Sequence, residues 1–125
     1  MSHFTTIKTQ IKDIEALRSA TKELGLTILN NANARGYGQE QRKGDFVIKL
    51  TGPYDIAVNA QPDGTFGLTT DWWNGYVEKE VGKDYSKLIQ LYGVHKASLE
   101  AKKRGMSVLR RQQKDGAIKL ILIGG

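Results

Sequence analysis

The stretch MSHFTTIKTQIKDIEALRSATKELGL at the start of the chain does most to constrain the fold. From Phe4 to Ile11 the residues alternate, with Ile7 and Ile11 on one face and Lys8 and Gln10 on the other. Alternation of this kind with β-branched residues is the pattern of a half-buried strand. Asp13 then stands where a helix N-cap belongs, its carboxylate placed to accept from an unpaired backbone N–H of the first turn. Ile14, Leu17, Thr21 and Leu24 follow at helical spacing and make one apolar stripe. Gly25 supplies the left-handed residue that ends a helix. Every local signal agrees on a β-α unit.

The remaining segments extend this into an antiparallel pattern. Thr27 to Leu29 reads as a short strand, followed by a polar, glycine-containing loop over residues 30–45, NNANARGYGQEQRKGD. A loop of that length in a compact domain is usually functional or mobile. Phe46 to Thr51 is apolar and β-rich, and Gly52-Pro53 interrupts it. Tyr54 to Ala60 alternates, with Tyr54, Ile56, Val58 and Ala60 on one face; Pro62-Asp63-Gly64 forms a turn, and Phe66 to Thr70 alternates again. Asp84 is placed to cap a second helix whose stripe is Tyr85, Leu88, Ile89, Tyr92, Lys96 and Leu99, ended by Gly105. Met106 to Gln112 and Ala117 to Ile123 form a hairpin around Lys114-Asp115-Gly116. The last strand is almost continuously apolar, which predicts a central position in the sheet. The order β-α-β-β-β-β-α-β-β predicts an α+β two-layer sandwich, a mostly antiparallel sheet with two helices on one face, in a single domain over residues 1–125.

Composition removes several chemistries. With no cysteine, the chain offers no disulfide, thiolate zinc site, iron–sulfur ligand or cysteine nucleophile. No run of about 18 apolar residues is present to span a membrane, and no basic segment followed by an apolar core opens the chain as a secretory signal would. A soluble protein of the cytoplasm, or of a plastid stroma, is expected. The net charge is +6, and Lys102, Lys103, Arg104, Arg110, Arg111 and Lys114 equal that whole excess within a segment containing no acid before Asp115. Such a balance suits an acidic partner.

Several blocks together carry a family resemblance. They are MSHFTTIKTQIKD, Arg35-Gly36-Tyr37, DFVIKL followed by YDIAVN and its Asp-Gly turn, Asp71 with Trp72-Trp73, the Tyr85…Leu88…Tyr92 helix, and RGMSVLRRQQKDGAIKLIL. In order and spacing the chain resembles the hypothetical chloroplast reading frame family number thirty-five, found in algal plastid genomes and cyanobacteria. The resemblance runs through almost the whole chain. It implies a plastid, cyanobacterial or related phage or bacterial setting, and it carries over no activity, cofactor or catalytic residue. Relatives in this family often end in a charged or aromatic residue, whereas this chain ends in Gly124-Gly125.

The residues themselves argue for contact rather than chemistry. Catalysis needs a matched acid, base or nucleophile in a cleft, and an enzyme reading would need a concave site containing His95, Asp71 or Tyr92. The two histidines, His3 and His95, fall short of the three or four ligands of a usual metal site, so neither a metal nor a cofactor is expected. Asp45, Asp55, Asp63 and Asp71 fall at strand ends and turns, where local hydrogen bonding favours Asp; Asp71 stands out beside the tryptophans. Trp72 and Trp73 are adjacent and point to opposite sides of an extended segment, one toward the core and one available as an aromatic anchor. Gly36-Tyr37-Gly38 lacks the context of a phosphate loop, although Arg35, Arg42 and Lys43 beside it suit an anion.

The leading reading is a non-enzymatic accessory or interaction protein with an unidentified protein partner, using Arg35, Tyr37, Arg42, Lys43, Trp72 and Trp73. The alternative is a nucleic-acid-associated protein using the basic 102–114 surface, although Lys102, Lys103 and Arg104 also suit a helix C-terminus. A third reading takes Gly124-Gly125 as the diglycine of a ubiquitin-like modifier or sulfur carrier. Against it, those proteins open with a hairpin, and their diglycine sits on an extended tail.

Overall fold

A computed structural model of the chain describes residues 3–124. The predicted β-α opening is present as β1 (Phe4–Lys8) and α1 (Ile14–Glu23). Asp13 caps α1, its Oδ1 accepting from Glu15 N at 2.9 Å and Ala16 N at 3.2 Å. Gly25, at φ +75°, closes the helix in the left-handed region that only glycine enters without strain. Leu17 and Thr21 are buried as the stripe requires, with Ala16 and Ala20 beside them.

Four further strands complete one antiparallel sheet: β2 (Thr27–Arg35), β3 (Gln41–Lys49), β4 (Ile56–Ala60) and β5 (Phe66–Asp71). The five strands lie in the order β1-β5-β4-β3-β2. A short helix α2 (Glu78–Val81), absent from the sequence reading, precedes the long helix α3 (Ser86–Lys103). Its Glu80 accepts from Thr51 N at 2.8 Å and Gly52 N at 3.1 Å, fixing the β3–β4 connection. Then β6 (Ser107–Gln112) and β7 (Ile118–Ile123) pair in a separate two-stranded ribbon. The fold is therefore α+β. Ile48, Ile56, Val58 and Leu68 face α1 and α3 and share one core with Leu17, Leu88 and Tyr92.

Three expectations need correction. Residues 30–45 are mostly strand rather than loop: Asn30 pairs with Phe46 and Arg35 with Gln41, leaving a tip of five residues, 36–40. The segment looks loop-like because most of its side chains face solvent, and a paired backbone does not need them to be apolar. Asn31, at φ +47°, interrupts the ladder. Beyond it Ala32 and Ala34 pack with Val47 and Ala57 on the sheet face away from the helices.

Secondly, β7 is not central. Among the described residues it pairs only with β6, and its Leu122 and Ile123 are 55% and 51% exposed. A continuous apolar run reports that both faces of a strand tolerate apolar contact, not that the main sheet receives it.

Thirdly, Asp84 does not cap α3. Asp84 and Tyr85 both adopt positive φ, +52° and +65°, and no side chain caps the helix start. Left-handed backbone costs about 1–2 kcal/mol per non-glycine residue. The turn swings the Tyr85 ring fully into the core, against Trp72 at 4.9 Å, and burial of an aromatic ring returns about as much. Ile89, assigned to the buried stripe, is instead exposed, while Leu91 and Val94 are buried.

The Tyr85 hydroxyl is sealed in without a hydrogen-bond partner among the described residues, and burial pushes its pKa well above the ordinary value. Removing an unsatisfied buried hydroxyl removes its desolvation cost. Tyr85→Phe should leave stability unchanged or raise it by about 1 kcal/mol, read from denaturant midpoints; a loss of that size would show that the hydroxyl is satisfied in solution.

Candidate functional site

The end of β2 is held by a buried carboxylate. Arg35, the last residue of that strand, places Nε 2.8 Å from Asp55 Oδ2 and Nη2 2.8 Å from Oδ1. Asp55 also accepts from Arg35 N at 3.0 Å and Leu50 N at 3.2 Å, while the second guanidinium donor reaches Gly52 O at 3.0 Å. Thr70 Oγ1 donates to Asp55 O at 2.7 Å, joining β5 to the same point. Burial pushes the Asp55 carboxyl up, but the guanidinium and the two N–H groups outweigh it and hold the group below its ordinary 3.8. Hydrogen bonding to Asp55 raises Arg35 in turn. Arg35 is thus engaged by the protein and is not an open anion ligand, contrary to one use suggested for it.

A second carboxylate organises the neighbouring surface through backbone N–H donors. Asp71, fully buried, accepts from His3 N at 2.9 Å and Trp73 N at 3.0 Å on Oδ1, and from Tyr37 N at 2.9 Å on Oδ2. These three bonds tie together the start of β1, the β2–β3 tip and the turn after β5. They also fix the side chains above them. Trp73 stacks on His3 with ring centroids 5.1 Å apart and meets Tyr37 edge-on at 5.8 Å. Trp73 and Tyr37 remain 40% and 42% exposed. Trp72 turns the other way onto Tyr85, so the two tryptophans diverge, although the segment is not extended as expected: Trp72 lies at φ −85°, ψ 10° and Trp73 opens a 3-10 turn over Trp73–Gly75.

Beside Tyr37 lies a cleft of about 630 Å³ whose lining includes Arg35, Tyr37, Gln39, Gln41, Tyr54 and Tyr76. Tyr54 and Tyr76 meet edge-on at 5.4 Å, and burial raises the Tyr54 pKa. Gly36 is required here by space: an added Cβ would collide with the Phe4 ring and approach Asp71 Oδ2 to 3.2 Å. Arg42 covers the other side of that ring, its guanidinium carbon 4.1 Å from the centroid. Of the interaction candidates, Tyr37 and Trp73 come together, and Arg35 lines the cleft while paired. Arg42 lies over Phe4 and stays exposed, Lys43 lies exposed on β3 outside the cleft, and Trp72 is largely inside. Sequence reasoning missed His3, Tyr54 and Tyr76 as partners of this surface. The one available signal was Asp71 preceding a tryptophan pair.

His95, Asp71 and Tyr92 lie at three separate places in the described structure. Tyr92 Oη accepts the N–H groups of Lys12 and Asp13, each at 3.1 Å, at the start of α1. His95 Nε2 lies 2.7 Å from Glu23 Oε1, and Asp71 is saturated on the sheet. The tyrosine-lined cleft takes none of the three. No group of three or more His, Asp or Glu side chains suited to a metal occurs among the described residues.

The basic segment is divided. Strand alternation puts Arg110 and Arg111 on opposite faces of the β6–β7 ribbon. Arg110 makes a bidentate pair with Glu23, 3.0 Å on each arm, which holds the Glu23 carboxyl below its ordinary value. Lys103 lies 3.7 Å from Glu100, and Lys102 and Lys103 sit in the last turn of α3, where cations complement the helix dipole. Arg104, Arg111 and Lys114 are exposed. The six candidates therefore do not form one continuous phosphate-tracking surface. Of the candidate diglycine, Gly124 follows β7 directly, and Gly125 lies outside the described residues.

A small α+β protein with an exposed aromatic surface beside a cleft is the class defined by this geometry. Residues 20–121 match the family described as "Protein of unknown function (DUF1257)", and the chain belongs to that family. It is similar to the uncharacterized protein ycf35 of Pyropia yezoensis, 36% identical over 126 residues covering 98% of this chain and 96% of that protein. No solved structure matches it. No helix among the described residues is long and apolar enough to cross a membrane.

Two outcomes test the site's construction. Arg35→Ala should lower stability by about 2 kcal/mol at neutral pH, a modest figure because the Arg35 side chain is 40% exposed. The folded pKa of Asp55 lies below its unfolded value, so the pair's contribution is complete above the unfolded value near 3.8 and lost as pH falls through the folded one. The gap between wild type and variant, followed by urea unfolding, should therefore narrow below pH 3.8. Gly36→Ala should cost about 1–3 kcal/mol through overpacking and shift Trp73 fluorescence as Phe4 moves; an unchanged spectrum would refute that packing.

Proposed function

We propose that this chain is a non-enzymatic interaction protein that presents the Tyr37–Trp73 surface and the adjoining tyrosine-lined cleft to a protein partner. The observation that supports the reading is the way Asp71 fixes these two rings from beneath. Three backbone hydrogen bonds fix the segments that carry an exposed tryptophan–tyrosine pair, and the contacts of Trp73 with His3 and Tyr37 restrict its rotamers, so less side-chain entropy remains to be lost on binding. Tryptophan and tyrosine are the residues most often found as energetic anchors in such contacts. A cytoplasmic or stromal setting is part of this reading. The nucleic-acid alternative has less support because the cations divide between two faces of the ribbon.

The test is a pull-down from native lysate with the intact chain, with and without nuclease, beside a Tyr37→Ala/Trp73→Ala variant. A stoichiometric protein should survive nuclease, depend weakly on salt, and be lost with the double variant. Recovery of nuclease-sensitive material alone, falling steeply with salt, would overturn the reading in favour of the basic surface.

A further inference from the structure

The β6–β7 ribbon is a second surface, remote in composition from the aromatic end. Two strands form it, and neither outer edge is paired among the described residues. An open edge is a template for another strand. The two edges differ. Along β6 the sequence Arg110-Arg111-Gln112 places adjacent cations and an amide, which blunts that edge, and Arg110 is drawn across to Glu23 on α1. Along β7, Ile118-Lys119-Leu120-Ile121-Leu122-Ile123 carries one charge.

The ladder also decides which backbone groups are open. Gln113 N donates to Ala117 O at 2.8 Å at the turn. Antiparallel alternation then makes Arg111/Lys119, Leu109/Ile121 and Ser107/Ile123 the mutually bonded pairs. The amides and carbonyls of Ile118, Leu120 and Leu122 are left pointing away from β6. Side chains follow the same alternation. Leu122 borders Ala101 and Met106, and Ile118 packs against the core, so that face lies on α3. Leu109, Ile121 and Ile123 share the outer face with Arg111 and Lys119.

We infer that the outer edge of β7 binds an extended acidic segment of a partner protein, which adds to the ribbon as a third strand. On the outer face its acidic side chains meet Lys119 and its apolar ones continue the Leu109–Ile121–Ile123 row, with Arg111 adding positive charge one strand further in. Charge selects this occupant. From Met106 to Gly124 the ribbon carries Arg110, Arg111, Lys114 and Lys119 against Asp115 alone. A second copy would set like charge on like charge, on chains of net +6. A bilayer is a poor fit because the tip, Gln113 to Gly116, is polar and the open edge would lose its water in hydrocarbon. Nucleic acid lacks an aromatic platform on the ribbon.

The experiment uses the full chain and three labelled ten-residue peptides: threonine at every odd position with valine and glutamate taking turns at the even ones, which puts both on one face, the same with lysine for glutamate, and the glutamate peptide with a central proline. Fluorescence anisotropy should show the glutamate peptide binding at least about tenfold tighter than either other peptide. Amide exchange should slow at Leu120 and Leu122. Leu120→Pro removes an outward N–H while sparing the bonded pairs to β6, and should abolish binding. Should that variant unfold, Lys119→Glu supplies the test, because it should reverse the preference toward the lysine peptide. Tyr37→Ala/Trp73→Ala should bind the glutamate peptide as wild type does, which separates failure here from failure at the aromatic end. Equal affinity for the glutamate and lysine peptides, protection along β6 instead of β7, concentration-dependent dimerisation without peptide, or binding confined to anionic vesicles would each overturn the inference.

Discussion

The Arg35–Asp55 pair is the contact on which the arrangement of this end of the sheet depends. β2 is an edge strand, and from Asn30 onward it contributes only Ala32 and Ala34 to an apolar cluster. Burial alone does little to hold it. The guanidinium fork closes the end of the strand onto the β3–β4 connection, through Asp55, Leu50 and Gly52 together. A buried carboxylate left without partners is costly, so the geometry that satisfies Asp55 is strongly preferred over any slipped one. Tyr54, next in the chain to Asp55, inherits its position from that requirement and becomes one wall of the cleft.

The protein solves the problem of a buried carboxylate twice and differently. Asp55 is satisfied by a cation, which leaves an Arg side chain partly at the surface. Among the described residues Asp71 is satisfied by backbone donors, and these come from three separate segments, at His3, Tyr37 and Trp73. A carboxylate serving three N–H groups acts as a rivet between β1, the β2–β3 tip and the chain leaving β5. Gly36 and Phe4 complete it sterically, since the tip approaches β1 too closely for a Cβ. The aromatic surface is a consequence of this rivet, because the N–H donors belong to the very residues whose rings stand exposed.

Where local chemistry decided the structure, the sequence could be read. The Asp13 cap, the Gly25 and Gly105 helix ends and the turn at Asp63-Gly64 each depend on a few neighbouring residues. Where distant partners decided it, the reading failed. Residues 30–35 carry no strand pattern, yet they pair with 41–46 because the ladder supplies backbone bonds whatever the side chains are. Asp84 has the right chemistry for a cap, but ring burial at Tyr85 sets the backbone instead. The cationic run from Lys102 to Lys114 is contiguous only in sequence, since a strand sends neighbouring side chains to opposite faces. The two carboxylate centres were the least legible, because the donors that give them meaning include ones 20, 34 and 68 residues away.

An exposed apolar ribbon with an open edge is an aggregation liability, and its placement in this chain answers that problem with charge rather than with cover. Arg110 and Arg111 occupy β6, Lys119 interrupts the apolar run of β7, and Lys114 stands at the turn. Cations set beside an unavoidable hydrophobic strand act as gatekeepers against self-pairing. Their sign matters as much as their presence. A ribbon guarded by mixed charges would repel every strand weakly, whereas one guarded almost wholly by cations repels its own copies and attracts acidic strands. Solubility and selectivity thus follow from the same few residues, and neutralising them would weaken both together.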